Sequence, residues 1–204
     1  MKRFIIILSC VALMVCFFTL NVQAAGSNYI ALKAGMYSPQ SDELEDWDNG
    51  FNGEVAYGYY FNRNMAMEIG LGYFHTERSE SGFISGIGSA TADGDVDVMP
   101  FTIALKGIYP IDKLELYGIV GIGAYFSTAK ITVSTARGSV SADDDDVSFG
   151  GFLGIGANYN ITDQVFIGVE GKYLWSEASW TIAGEKIDAN LDGWTITGNL
   201  GFRF

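Results

Sequence analysis

The chain has 204 residues and a formal charge of −12, with 26 glycines, three prolines, two cysteines, one histidine and 14% aromatic residues. That acidity disfavours nucleic acid and anionic surfaces as partners. Past the N-terminus no uninterrupted apolar run reaches the ~18 residues of a spanning helix.

The chain opens with Met1-Lys2-Arg3, then an apolar run from Phe4 to Phe18, then Val22-Gln23-Ala24. A positive start, a short apolar run and a small-residue cleavage site predict a secretory signal peptide over residues 1–24. Cys10 and Cys16 both fall within it, so the remaining domain, residues 25–204, has no thiol or disulfide chemistry. Neither cysteine ends the apolar run behind a small residue, so lipidation is not expected. Loss of Lys2 and Arg3 takes the charge to −14.

Segments with two-residue alternation follow one another. Tyr29 to Tyr37 sets Ile30, Leu32, Ala34 and Met36 against Ala31, Lys33 and Gly35. Phe51 to Phe61 sets Val55, Tyr57, Tyr59 and Phe61 against Asn52, Glu54, Ala56 and Gly58. After the turn Asn62-Arg63-Asn64, Met65 to His75 sets Met67, Ile69, Leu71 and Tyr73 against Glu68, Gly70 and Gly72. Val98 to Tyr109 sets Met99, Phe101, Ile103 and Leu105 against Thr102, Ala104 and Lys106. The segment Leu114 to Phe126 is apolar on both faces, and Glu115 alone assigns Tyr117, Ile119, Gly121 and Gly123 to the inner one. Val147 to Tyr159 and Val165 to Trp175 alternate again, with Glu170 and Lys172 on the polar face of the latter. The last eleven residues, Trp194 to Phe204, set Trp194, Ile196, Gly198, Leu200, Phe202 and Phe204 against Thr195, Thr197, Asn199, Gly201 and Arg203.

The connections alternate in length. Residues 62–64, 110–113 and 160–163 are tight turns, whereas 38–50, 76–97, 127–146 and 176–192 are long and polar. An even strand number with short turns on one side and long loops on the other describes an outer-membrane barrel. Segments of about ten residues match a tilted spanning strand. The charges decide between this and a soluble barrel, whose apolar set would point inward. Opposite the apolar face lie Lys33, Glu54, Glu68, Lys106, Glu115, Glu170, Lys172 and Arg203, four positive and four negative. Eight charges in a soluble core would be very costly. Inside a barrel they can pair across strands, with glycines leaving room for them. Aromatics near the strand ends (Tyr59, Phe61, Tyr73, Tyr109, Tyr125, Phe126, Tyr159, Tyr173, Trp175, Trp194) read as interfacial girdles.

The alternating segments, the glycine-rich stretch Tyr117 to Tyr125 and the terminal Leu200-Gly201-Phe202-Arg203-Phe204 resemble the small eight-stranded outer-membrane barrels of the OmpX and OmpA-transmembrane type, with OmpW as a looser relative. The resemblance implies an all-β, eight-stranded antiparallel up-and-down transmembrane barrel in the outer membrane of a Gram-negative cell. It also implies that Phe204, with Phe202 and Leu200, is similar to the signal read by the barrel-assembly machinery.

Three constellations bear on chemistry. His75, the single histidine, lies at a strand end with outward parity. A lipid-modifying hydrolase would need it as a base beside a nucleophile, but His75-Thr76-Glu77 departs from the His-x-Ser pattern of the barrel enzyme that deacylates lipid A, so we read an interfacial histidine and no enzyme. The run Asp143-Asp144-Asp145-Asp146, with Asp42, Glu43, Glu45, Asp46 and Asp48, offers oxygen ligands for hard cations in a loop but lacks the EF-hand spacing; a solvated loop without a resident metal is the plainer reading. Lys130 to Ser141 and Trp180 to Asp188 read as hairpins prolonging the barrel strands, and the resemblance to OmpX-like proteins implies a protruding sheet whose free edge suits strand addition by an extracellular protein.

The expectation is a monomer without cofactor, in contact with outer-membrane lipid and lipopolysaccharide, closed inside by paired charges, with a structural or adhesive role through acidic extracellular loops. The alternatives are OmpW-like passage of small hydrophobic molecules and the lipid-modifying hydrolase.

Overall fold

In the computed structural model, which describes residues 27–40, 49–84, 88–135, 138–182 and 185–204, the chain forms nine antiparallel strands. They are β1 (Asn28–Pro39), β2 (Gly50–Asn62), β3 (Met65–Ile84), β4 (Gly88–Ile111), β5 (Leu114–Thr135), β6 (Gly138–Asn160), β7 (Val165–Ile182), β8 (Glu185–Asn190) and β9 (Gly193–Arg203). Eight of them close a ring. Strands β1 to β7 pair in sequence order, β7 pairs with β9, and β9 returns to β1 with Tyr29 opposite Arg203 and Leu32 opposite Leu200. The ninth, β8, stands outside the ring and forms a hairpin with the far end of β7, Trp180 opposite Ile187. The predicted signal peptide lies outside the described residues.

Alternation dictates what each face meets. Leu32, Val55, Ile103, Val120, Ile155, Val169 and Ile196 point outward and are exposed, and Lys33, Glu68, Lys106, Glu170 and Thr197 point inward and are buried. Such an apolar exterior is stable only in lipid. The fifth strand has the register that Glu115 predicts, with Tyr117 and Ile119 buried inside and Leu116 and Val120 outside. At the ends of the ring Tyr59, Phe61, Tyr109 and Tyr159 sit by the tight turns, and Tyr73, Trp175 and Trp194 by the opposite rim, whereas Tyr125, expected in that girdle, has inward parity and is buried inside the barrel.

Three of the four expected long loops are largely strand. β3 and β4 stay paired out to Ile84 and Gly88, β5 and β6 to Thr135 and Gly138, and β7 pairs with β8 out to Ile182 and Glu185. The two hairpins expected at 130–141 and 180–188 are present, and β3 and β4 add a third where the sequence predicts a long loop. Beyond the pair Gly150 and Ser176 the ring splits: β6 continues against β5, and β7 against β8.

Sidedness reverses in this extension. Along Asp95-Val96-Asp97-Val98 the valines are buried inside and the aspartates face out. With Tyr37, Phe74, Tyr125, Leu174, Ala178 and Leu191 they make an apolar core, as in a soluble barrel. One chain thus has salt inside where lipid surrounds it and oil inside where water does.

Candidate functional site

The eight predicted inner charges all point inward, and they form two groups. In the larger, Lys33 Nζ lies 2.8 Å from Glu54, 2.6 Å from Glu68 and 2.9 Å from Glu170. Lys106 Nζ is 2.6 Å from Glu68 and 3.6 Å from Glu170, and Lys172 Nζ is 2.7 Å from Glu54 and 3.4 Å from Glu170. Three carboxylates meeting at one point would suit a cation, and the Lys33 ammonium stands there. The smaller group is Arg203 and Glu115, 2.8 Å apart near the tight-turn end.

Neutral groups that sequence reasoning missed complete the network. The Tyr29 hydroxyl donates to Glu68 (2.7 Å) and the Tyr117 hydroxyl to Glu170 (2.9 Å), while Asn199 donates to Tyr117 (3.2 Å). Cations also lie over rings: Lys106 over Tyr117 at 4.4 Å and Arg203 over Phe166 at 4.7 Å. Four inward aromatics each face a glycine on the next strand: Tyr29 and Gly58, Tyr117 and Gly156, Phe152 and Gly121, Phe166 and Gly201. A Cβ on Gly58 or Gly201 would sit 2.0 Å from the facing ring, so the ring occupies the missing side chain's place. An aromatic on an otherwise glycine-rich face was the available signal.

Among the described residues the interior side chains stack in layers, with a cavity of about 500 Å³ open at the tight-turn end beside Tyr60, Glu115 and Arg203. Arg203, Glu115 and Tyr60 form a floor, with Arg203 donating to Asn160 at 2.7 Å and to Tyr60 at 3.2 Å. The charge network and its tyrosines occupy the middle. Above it lies a small cavity of about 30 Å³ lined by Glu54, Phe74, Pro100, Tyr125, Phe152 and Lys172, with room for ~one or two waters. Tyr37 then closes the upper end, its ring 4.4 Å from Phe74 and its hydroxyl donating to the Leu191 carbonyl at 3.0 Å.

The acidic run is not a loop. Asp143, Asp144, Asp145 and Asp146 lie on β6, opposite Lys130, Ala129, Thr128 and Ser127 of β5. Neighbouring strand residues point to opposite faces, so the four carboxylates cannot converge on one ion. The hydroxyl of Thr128 donates to Asp145 (2.7 Å) and the Ser179 amide to Asp146 (2.9 Å). The other acids of this set, residues 42–48, lie outside the described residues.

Leu200, Phe202 and Phe204 are exposed on the outer face of the closing strand. The Phe204 amide donates to the Asn28 carbonyl at 2.9 Å, and Asn28 returns a bond at 3.2 Å. His75 points outward at the far rim, as its parity predicts. Its Nδ1 lies 2.9 Å from Asp97 Oδ1 on β4 and its Nε2 3.8 Å from Glu77.

Comparison with known proteins agrees with this geometry. The model of the outer membrane protein beta-barrel domain family matches residues 10–204. An uncharacterized protein of Coxiella burnetii is 31% identical over 175 residues, which cover 76% of this chain and 68% of that one. OprG from Pseudomonas aeruginosa superposes with a TM-score of 0.57 at 15% identity, over 90% of this chain and 99% of that one. Neisserial surface protein A gives 0.55 at 14% identity, over 89% and 100%. At such identities the two solved structures are alike in fold alone. The closed eight-stranded ring, its lipid-facing exterior and these matches place the chain in the outer membrane protein beta-barrel domain family, at the outer membrane of a Gram-negative cell.

Proposed function

We propose that this outer-membrane barrel is a closed, monomeric, non-enzymatic surface protein with a structural and adhesive role, presenting its acidic extension to an extracellular protein. The observation that carries this reading is the continuation of β3 to β6 past the membrane band as one sheet, with Glu77, Asp95, Asp97, Asp143 and Asp145 on its outward face. An apolar core holds that sheet upright, which a passive closure of the barrel would not need. Lipid and lipopolysaccharide surround the apolar belt, and the assembly machinery reads Leu200, Phe202 and Phe204.

The packing supports closure. Passage of small hydrophobic molecules would need a continuous greasy route, and the charge network stands across the barrel axis. Hydrolysis would need a hydroxyl at His75 Nε2, where the neighbouring group is the Glu77 carboxylate. The test is to replace residues 129–144 by a two-residue turn and display both forms on bacteria. The shortened barrel should still assemble and should lose adhesion to host-type surfaces. Equal adhesion by both forms, or steady wild-type conductance in planar bilayers, would overturn the proposal.

A further inference from the structure

On the outer face of β3 and β4, one outward position beyond Tyr73, the single histidine of the chain lies among three carboxylates. The ladder sets His75 opposite Asp97 and Glu77 opposite Asp95. By alternation all four side chains share that face. The Tyr73 hydroxyl donates to Asp97 Oδ1 at 2.5 Å, and the same oxygen lies 2.9 Å from His75 Nδ1. A carboxylate only accepts, so the Nδ1 hydrogen points to Asp97 and Nε2 is the nitrogen left for another partner. It lies 3.8 Å from Glu77 Oε2. A metal ion taking that place would displace any proton held on Nε2.

One ligand atom each from His75, Glu77 and Asp95 lies within 4.8 Å of the other two. Ligands of a tetrahedral zinc ion lie roughly 3.3 Å apart, so small side-chain rotations on an exposed face would complete the set. We propose that His75 Nε2, Glu77 and Asp95 bind a divalent transition-metal ion of the zinc class at the outer rim, with Asp97 as the carboxylate that orients the imidazole. The imidazole ligand sets the class: calcium and magnesium take oxygen donors, whereas nitrogen with two carboxylates suits zinc and its neighbours. The chain Tyr73 to Asp97 to His75 is the hydrogen-bonded support that metal-bound histidines use to fix tautomer and ring plane. The site is distinct from the two other acidic groups, one of which encloses Lys33 while the other alternates across β6.

The experiment is a zinc chloride titration of the untagged barrel refolded in detergent micelles, followed by calorimetry and by the imidazole proton resonances of the single histidine. One saturable equivalent should bind, with the histidine signal moving in step. His75→Ala should weaken binding at least ~100-fold, and Asp97→Asn by about 10–100-fold, with the histidine signal still moving at saturation. The paired control Asp143→Asn with Asp145→Asn should leave the affinity unchanged. All these side chains face outward, and gel mobility before and after heating verifies that each variant is folded. Absence of a saturable equivalent, or wild-type affinity in His75→Ala, would overturn the site.

Discussion

Lys33 Nζ lies 2.6 Å from Oε1 of Glu68, joining β1 to β3 through the barrel interior, and neither side chain is more than 3% exposed. The same ammonium also holds Glu54 and Glu170. Lys33→Met would leave three buried carboxylates to Lys106 and Lys172. Breaking a buried pair by removing one partner costs about 3–5 kcal/mol. We expect a loss of that order, read as a lower urea midpoint for unfolding from lipid vesicles. The double variant Lys33→Met with Glu170→Gln should recover part of it. A wild-type midpoint in the single variant would show that the network does not hold the strands.

Phe74 belongs to the core of the extension, fully buried against Tyr37. Phe74→Ala should cost about 3–5 kcal/mol locally and leave the membrane band intact. Limited proteolysis of the variant in vesicles should therefore cut residues 76–97 and 127–146 much faster than in wild type, sparing the spanning strands. Unchanged resistance would mean that the extension does not rely on its apolar filling.

The reversal of sidedness is open to direct measurement. In a barrel of residues 25–204, free of Cys10 and Cys16, Val169→Cys carries a fluorescent probe on the outer wall of the membrane band and Asp145→Cys one on the outer face of the extension. A lipid-borne quencher should act on the first and iodide on the second. Iodide quenching at position 169 would contradict the placement of the membrane.

Phe204 lies just past the end of the closing strand with its side chain partly exposed. If it serves as an address, Phe204→Ala should refold in detergent as wild type does and yet accumulate several-fold less folded barrel in cells. Equal loss in both settings would assign Phe204 to stability instead.

Much of this fold is legible because a strand with lipid on one face and paired charges on the other must alternate on a two-residue beat. All eight ring strands follow from it, including β5, where Glu115 alone set the phase. The extension escaped because its beat changes phase. Apolar residues hold odd positions at Met99, Phe101 and Ile103 but even ones at Val96 and Val98, and that step marks the edge of the lipid. Reading 76–97 as a loop treated its aspartates as solvent-exposed chain, when each was the wet side of a strand. The aromatic–glycine pairs and the contact between His75 and Asp97 depend on register across strands. A single strand's pattern carries no register, and the hairpin that fixes the latter pair lies ten or more residues away from either partner.

The pairing of β1 with β9, eleven residue pairs from Tyr29–Arg203 to Pro39–Gly193, governs how the molecule can be made. Until it forms, both strands would carry bare amides and carbonyls into hydrocarbon at several kcal/mol apiece. A partially rolled sheet therefore has no resting state in the bilayer. The earliest strand must wait, shielded by some other surface, until the latest arrives to latch it.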